Sequence, residues 1–173
     1  MKKTIALCFV ALLSAFTARA ATIAYNTEEV RLNGRLELDT YAGTATAIEL
    51  GYGYFIQDYI EVGGFAGYEG DDFVTSFYAG GFGEFNLDTD SELVPFAGAQ
   101  LRLINSEFDL PLNDDSAFAP ALGVYLGAKY FLYENCAISA RFLFEGATDD
   151  VFADDEDVTD TNFTIDLGLR FFY

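Results

Sequence analysis

Apolar and polar residues alternate with a period of two along most of the chain after residue 20, and no window there carries a long apolar stripe at helical spacing. The segment 163–173 is the clearest example, because every odd position is apolar while Thr164, Asp166 and Arg170 occupy even positions. Segments of the same kind cover 31–38, 47–56, 60–68, 76–85, 93–103, 122–130 and 136–144. The pattern predicts an all-β chain with eight strands.

The connections between these strands alternate in length. Short connections are expected at 57–58, 87–91 and 133–135, and longer ones at 40–44, 69–72, 104–116 and 145–161. Strands of about ten residues, tilted near 45°, cross a bilayer, and short periplasmic turns with longer outer loops are typical of outer-membrane barrels. We therefore predict an eight-stranded antiparallel up-and-down transmembrane β-barrel over residues 21–173.

The first twenty residues have the pattern of a cleaved secretory signal peptide. Lys2 and Lys3 precede a mostly apolar stretch over 4–16, and 18–20 reads Ala-Arg-Ala, which signal peptidases favour. The apolar stretch is too short for a retained membrane helix. Cleavage after Ala20 leaves six basic and 28 acidic residues, a net charge of −22. Nucleic acid is a poor partner for such a chain, because binding phosphates requires clustered Lys and Arg.

Alternation alone does not say which strand face meets lipid, since a soluble barrel with an apolar interior also alternates. The charges favour one orientation, because all six basic residues that follow residue 20 fall on the polar strand face together with five acids. Buried charges need opposite partners, so this balance is expected of a narrow lumen. We predict lumen ion pairs among Arg31, Arg35, Glu37, Glu49, Glu61, Glu84, Arg102, Lys129, Arg141, Asp166 and Arg170.

Aromatic residues cluster near both ends of the predicted strands, as expected of the girdles that mark the two bilayer interfaces. The predicted periplasmic girdle contains Tyr54, Phe85, Tyr130 and Tyr173, and the predicted outer girdle contains Tyr68, Phe73, Phe118, Phe144 and Phe163.

The last seven residues, Leu-Gly-Leu-Arg-Phe-Phe-Tyr over 167–173, are similar to the carboxyl-terminal strand signal of small Gram-negative outer-membrane barrels such as the OmpA transmembrane domain, OmpX and OmpW. Segments 54–62 and 130–138 also resemble turn-flanking segments of this family. The resemblance implies that the barrel-assembly machinery recognises Leu167, Leu169, Phe171 and Tyr173. It also implies a cell outer-membrane location, with membrane lipid and lipopolysaccharide as partners.

Catalytic chemistry is poorly supported by the sequence. The chain contains no His, which excludes Ser-His and Cys-His catalysis, and its Gly-rich segments do not lead into helices as phosphate-binding loops do. We expect no enzyme activity and no cofactor. The acidic loop around Asp154, Asp155, Glu156 and Asp157 offers hard oxygen ligands and is a hypothetical Ca²⁺ site, although it lacks the Gly and spacing of an EF-hand.

Three functions remain open from the sequence. The leading hypothesis is a non-enzymatic outer-membrane barrel that carries acidic surface loops and has a structural or surface-interaction role. The first alternative is a narrow channel or carrier for small solutes, and the second is a soluble periplasmic barrel that binds an apolar ligand.

Overall fold

A computed structural model describes residues 23–39, 43–70, 74–110, 113–154 and 157–173, with side chains over 23–35, 46–70, 75–107, 116–152 and 159–173. The predicted signal peptide and Phe73 lie outside these residues. None of the described residues forms a helix long and apolar enough to cross a membrane. The strands are β1 (Glu28–Asp39), β2 (Gly43–Gln57), β3 (Ile60–Gly70), β4 (Val74–Asn86), β5 (Leu93–Leu110), β6 (Asn113–Tyr133), β7 (Cys136–Ala147), β8 (Phe152–Asp154), β9 (Asp157–Thr159) and β10 (Thr161–Phe172).

Eight of these strands form a closed antiparallel barrel in the order β1-β10-β7-β6-β5-β4-β3-β2, which confirms the predicted fold class. The first and last strands close the barrel, with Glu29 opposite Phe172 and Gly34 opposite Leu167. At the end with the short turns, which is predicted to be periplasmic and is called so below, Glu28 and Tyr173 exchange backbone hydrogen bonds of 3.1 and 3.0 Å. The start of β1 and the carboxyl-terminal residue therefore lie on the same side of the barrel.

The apolar face of each strand points outward and the polar face points into the lumen. Leu122 and Leu167 on the outer wall are 65% and 66% exposed, as expected of side chains that contact lipid. The outer wall also exposes Phe85, Tyr130 and Tyr173 near the periplasmic turns, and Tyr68, Phe118, Phe144 and Phe163 near the opposite end. Tyr54 is half-buried on the same face.

The predicted loop over 104–116 is wrong, because β5 and β6 continue as one hairpin to Leu110 and Asn113. Along β5 the polarity of the faces reverses beyond Leu103: Ile104 is buried inside, whereas Asn105 and Glu107 are exposed outside. A strand that rises above the hydrocarbon has water on its outer side, so the alternation that identifies a lipid-facing strand is lost there.

The described part of the predicted loop over 145–161 also contains β-strands that the sequence did not predict. It contains the end of β7 and a short hairpin of β8 and β9, in which Phe152 lies opposite Thr159. Val151 and Phe152 are buried in the outer mouth of the barrel against Ile104, Ala119 and Ala121. This hairpin therefore covers the lumen from the outside.

Candidate functional site in the barrel lumen

The periplasmic half of the lumen contains a cluster of three cations and three carboxylates, here called the lower tier: Arg31, Lys129 and Arg170 with Glu29, Glu61 and Glu84. Alternation of side chains brings these residues together from five strands, since each projects inward near the periplasmic end of its strand. Lys129 Nζ lies 2.7 Å from Glu84 and 3.0 Å from Glu29. Arg31 lies 2.7 Å from Glu61, and Arg170 lies 2.9 Å from Glu29.

The three carboxylates of the lower tier have oxygens within 4.8 Å of one another, a spacing that could hold a metal ion. Three buried cations, however, already neutralise the three acids. Buried ions are tolerated when opposite charges and hydrogen bonds compensate for lost hydration. The lower tier is therefore a structural ion-pair cluster, and its geometry gives no support for a metal site.

A second cluster, the upper tier, lies above the first and contains Arg35, Arg102 and Arg141 with Glu49, Glu69, Glu145 and Asp166. Arg102 lies 2.6 Å from Glu145, and Arg141 lies 2.8 Å from Asp166. Gln100 donates a hydrogen bond of 2.8 Å to Glu145. Arg35 links Glu69 and Asp166 at 2.8 and 3.1 Å. The guanidinium fork suits such two-sided carboxylate pairing.

Aromatic rings fill the space between the charged groups. The guanidinium of Arg31 lies 3.6 Å from the centre of the Phe82 ring, and that of Arg102 lies 4.6 Å from the Tyr78 ring. Phe65 packs against both rings. These contacts add cation–π attraction to the ion pairs and occupy the volume that a pore would need.

The lumen is closed at both ends by apolar side chains. At the periplasmic end, Ile23 packs with Phe55, Val94, Phe131, Ala137 and Phe172. At the outer end, Val151 and Phe152 close the mouth, and Ser106 donates a hydrogen bond of 3.1 Å to the Val151 carbonyl. Between Arg35, Glu49 and Arg141 lies a void of about 10 Å³, which is room for a single water molecule.

The sequence prediction and the structure differ in which acids line the lumen. Glu29, Glu69 and Glu145 lie there but were not predicted, whereas the side chain of Glu37 is outside the described residues. Glu29 lies two residues before Arg31, and Glu145 lies four residues after Arg141. Extending the period-two pattern past the predicted strand ends would therefore have found both.

Two other predicted sets of residues lie outside the lumen. Leu167, Leu169, Phe171 and Tyr173 lie on the outer face of β10, and their role as an assembly signal stays a prediction. Asp154 lies opposite Asp157 at the tip of the β8–β9 hairpin, while Asp155 and Glu156 fall outside the described residues. The Ca²⁺ hypothesis also stays a prediction.

Similar folds occur among solved outer-membrane barrels. The N-terminal β-barrel domain of Pseudomonas aeruginosa OprF is 18% identical, with a TM-score of 0.63 over 86% of this chain and 98% of that chain. Neisserial surface protein A is 16% identical, with a TM-score of 0.60 over 84% and 94%. Ail, the attachment invasion locus protein of Yersinia pestis, is 13% identical, with a TM-score of 0.51 over 86% and 97%.

No curated protein matches the chain. The profile of the outer membrane protein beta-barrel domain family, however, matches residues 8–171, nearly the whole sequence. The closed barrel, its apolar outer wall and this match agree, so the chain belongs to the outer membrane protein beta-barrel domain family and is a protein of the Gram-negative outer membrane.

Proposed function

We propose that this protein is a non-enzymatic outer-membrane anchor whose filled barrel holds acidic loops at the cell surface for a structural or surface-interaction role. The observation that carries the proposal is the lumen, which is occupied by two ion-pair tiers and closed by an apolar layer at each end. The interior of an eight-stranded barrel is just wide enough for side chains to fill, so such a barrel can serve as a rigid anchor without an open pore.

The surface-interaction part of the proposal is supported by the distribution of charge. Among the described residues, all six basic side chains lie in the lumen, whereas Glu107, Asp149, Asp150 and Asp160 are exposed at the outer end. The printed names of two similar barrels describe a surface protein and an attachment protein. The end of the barrel that faces away from the cell therefore presents carboxylates to partners.

Conductance across a planar bilayer tests the proposal. The protein should give no steady channels. The triple variant Phe55→Ala/Phe131→Ala/Phe172→Ala, which removes the periplasmic seal, should also be silent, because both charged tiers still fill the lumen. Steady channels in the wild-type protein would overturn the proposal and favour a narrow channel or carrier.

Protease treatment of intact cells tests the loop orientation. Cleavage within 148–160 that leaves the rest of the barrel protected is expected, because Asp149 and Asp150 are exposed beside the outer mouth. Cleavage only after the outer membrane is disrupted would place these loops in the periplasm. The same proposal includes three further expectations. The assembly machinery recognises Leu167, Leu169, Phe171 and Tyr173, and the chain is cleaved after Ala20. The acidic loops contact lipopolysaccharide through divalent cations.

A further inference from the structure

The outer mouth of the barrel contains an apolar pocket that the chain fills with two of its own side chains. This pocket, here called the mouth pocket, is lined by buried residues of the four strands β3 to β6: Phe65, Tyr78, Ile104, Ala119 and Ala121. Val151 and Phe152 occupy it and are only 1% and 5% exposed. Both occupants come from the segment that leads into β8, so they are not part of the barrel wall.

Polar groups in the mouth pocket contact the backbone and the ring of this occupant. The Ser106 hydroxyl donates a hydrogen bond of 3.1 Å to the Val151 carbonyl. The Arg102 guanidinium lies 4.6 Å from the centre of the Tyr78 ring and 5.3 Å from that of Phe152. Among the described residues, the buried Nε of Arg102 has no hydrogen-bond partner. The mouth pocket therefore offers a site for an aromatic ring, a hydroxyl donor for a peptide carbonyl and one further N–H donor.

The hairpin that supplies the occupant is a separate unit. β8 and β9 form a two-stranded sheet of their own, and among the described residues neither strand pairs with a strand of the barrel. At the base of the hairpin, the Thr148 amide donates to the Pro120 carbonyl at 3.1 Å. A unit that shares no ladder with the barrel opens locally at a lower free-energy cost than the barrel unfolds. The mouth pocket can therefore be vacated while the barrel stays intact.

Charge repulsion opposes the closed position of this hairpin. Segment 149–160 contains seven acidic residues and no basic one. The upper tier beneath the mouth pocket has three cations and four carboxylates, a formal surplus of one negative charge. Since like charges repel, the native occupant is held by its apolar pair against an unfavourable electrostatic interaction. A competitor with a similar apolar pair and basic flanks would be attracted where the hairpin is repelled.

We propose that the mouth pocket is a binding site for an extended peptide segment of a cell-surface partner, in which an aliphatic–aromatic pair is flanked by Lys or Arg. Val151 and Phe152 are an internal competitor that fills the pocket until such a segment displaces them. The aromatic ring of the partner replaces that of Phe152, and one of its carbonyls accepts the hydrogen bond from Ser106. Its basic flanks pair with exposed carboxylates of the outer end, such as Glu107 and Asp160. The inference rests on the proposed surface-interaction role and names the site and the partner chemistry for it.

Fluorescence anisotropy with the folded protein in lipid nanodiscs tests the proposal. The probe is the labelled peptide Thr-Lys-Lys-Val-Phe-Ala-Lys, which is segment 148–154 with Lys in place of its three Asp. The variant Val151→Ala/Phe152→Ala, here called the emptied variant, lacks the internal competitor. It should bind one probe at least about tenfold more tightly than the wild type, because no apolar pair has to leave the pocket first.

Two further peptides separate binding in the pocket from attraction between charges alone. Thr-Lys-Lys-Val-Ala-Ala-Lys lacks the ring and should bind the emptied variant at least about tenfold more weakly than the probe. Thr-Asp-Asp-Val-Phe-Ala-Asp, the native sequence, should also bind more weakly than the probe, and added salt should narrow that difference by screening the charges. Equal binding of the peptides with and without the ring would overturn the proposal.

Two substitutions of Ala by Leu test where the probe binds. In the emptied variant, Ala119→Leu refills the mouth pocket from β6 and should abolish probe binding, because Ala119 is fully buried in the cluster that contains Phe152. Ala99→Leu in the same background is the matched control and should leave binding unchanged, because Ala99 is exposed on the lipid-facing wall. Heat-modifiable gel migration checks that each variant is folded.

Two other results would also overturn the proposal. One is equal affinity of the emptied variant and the wild type for the probe, which would show that Val151 and Phe152 do not compete with it. The other is undiminished binding after Ala119→Leu, which would place the probe elsewhere on the acidic surface. Neither result would affect the proposed anchor role, which conductance and protease accessibility test independently.

Discussion

Lys129 is the residue on which the lower tier depends most directly. Its ammonium group lies within 3.6 Å of all three carboxylates, Glu29, Glu61 and Glu84, and is fully buried. Lys129→Met leaves three buried acids with two cations. Removing one partner of a buried ion pair costs about 3–5 kcal/mol, so the free energy of unfolding should fall by that amount in a urea titration read by gel migration.

The double variant Lys129→Met/Glu84→Gln is the control for this prediction. It removes one positive and one negative charge together, so it should recover part of the lost stability. Equal stability of Lys129→Met and the wild type would contradict a sealed, water-poor lower tier.

Glycines facing the lumen make room for large side chains on neighbouring strands. A Cβ added at Gly127 would clash with the Ala140 carbonyl and the ring of Phe96. Gly127→Ala should therefore lower the free energy of unfolding by about 1–3 kcal/mol, the usual cost of overpacking. Gly83→Ala, which meets no atom within 4 Å, should leave it nearly unchanged. If the two variants are equally stable, the packing of the lumen is looser than described.

The turn residues Tyr59 and Asp88 form a pair on the periplasmic side, outside the membrane. The Tyr59 hydroxyl donates to Asp88 at 2.7 Å, and this hydrogen bond, with one from the Asp90 amide, lowers the pKa of Asp88 below its usual value. The stability linked to Asp88 is therefore present above about pH 4 and is lost as the pH falls through the lowered pKa.

Carboxyl NMR titration checks this effect. In Tyr59→Phe, the pKa of Asp88 should rise towards about 3.9, because the strongest hydrogen bond to the carboxylate is gone. An unchanged titration midpoint would show that the hydroxyl does not hold this carboxylate.

The sequence alone predicts which residues line the lumen better than it predicts which of them pair. Period-two alternation predicts that all six basic residues point inward, as they do. The prediction is strong because a shift by one residue would turn every side chain to the opposite face of the strand. Which acid pairs with which cation does not follow, since Arg141 and Glu49 meet across the lumen from strands that are not neighbours. Those pairs depend on barrel closure and stagger, which local patterns do not encode.

At the scale of elements, the β8–β9 hairpin depends on a single aromatic anchor. Phe152 is buried against the outer mouth, and its ring lies 5.3 Å from the Arg102 guanidinium. Phe152→Ala should release the hairpin without unfolding the barrel. Hydrogen exchange of the Val151 amide, which donates to Thr159 at 3.2 Å, should accelerate at least about tenfold, as expected for local opening.

Phe118→Ala is the matched control for the anchor, because Phe118 is exposed on the outer wall near the same end of the barrel. It should leave exchange at Val151 unchanged. Similar acceleration in both variants, or loss of protection throughout β6 and β7, would contradict an independent, anchored hairpin.

The elements that the sequence predicted least well are those above the membrane. Strand bounds near the periplasm agree with the structure, since β3 begins at Ile60 and β7 at Cys136 as predicted. The outer parts of β5 and β6 were predicted as a loop, because water replaces lipid there and the apolar outward face ends. Val151 and Phe152 lie in an acidic segment that was predicted as a loop. They are buried because they pack against the outer mouth of the barrel, a tertiary contact that the local sequence pattern does not reveal.

At the scale of the whole molecule, three chemical environments follow from one alternating pattern. Cations and carboxylates neutralise each other in the lumen, apolar side chains cover the wall, and carboxylates are exposed at the outer end. Each environment matches its surroundings: a low-dielectric interior, hydrocarbon, and water. The orientation of the two strand faces is thus the claim on which the membrane assignment, the filled lumen and the proposed surface role depend.

Nitroxide accessibility in lipid nanodiscs tests that claim most directly. In a Cys136→Ser background, spin labels at Leu122, Val124 and Leu126 on β6 should collide more with lipid-soluble oxygen than with a water-soluble nickel complex, and a label at Glu107 should show the reverse. If the nickel complex reaches the three β6 positions as readily as it reaches Glu107, the apolar face does not contact lipid and the account is contradicted.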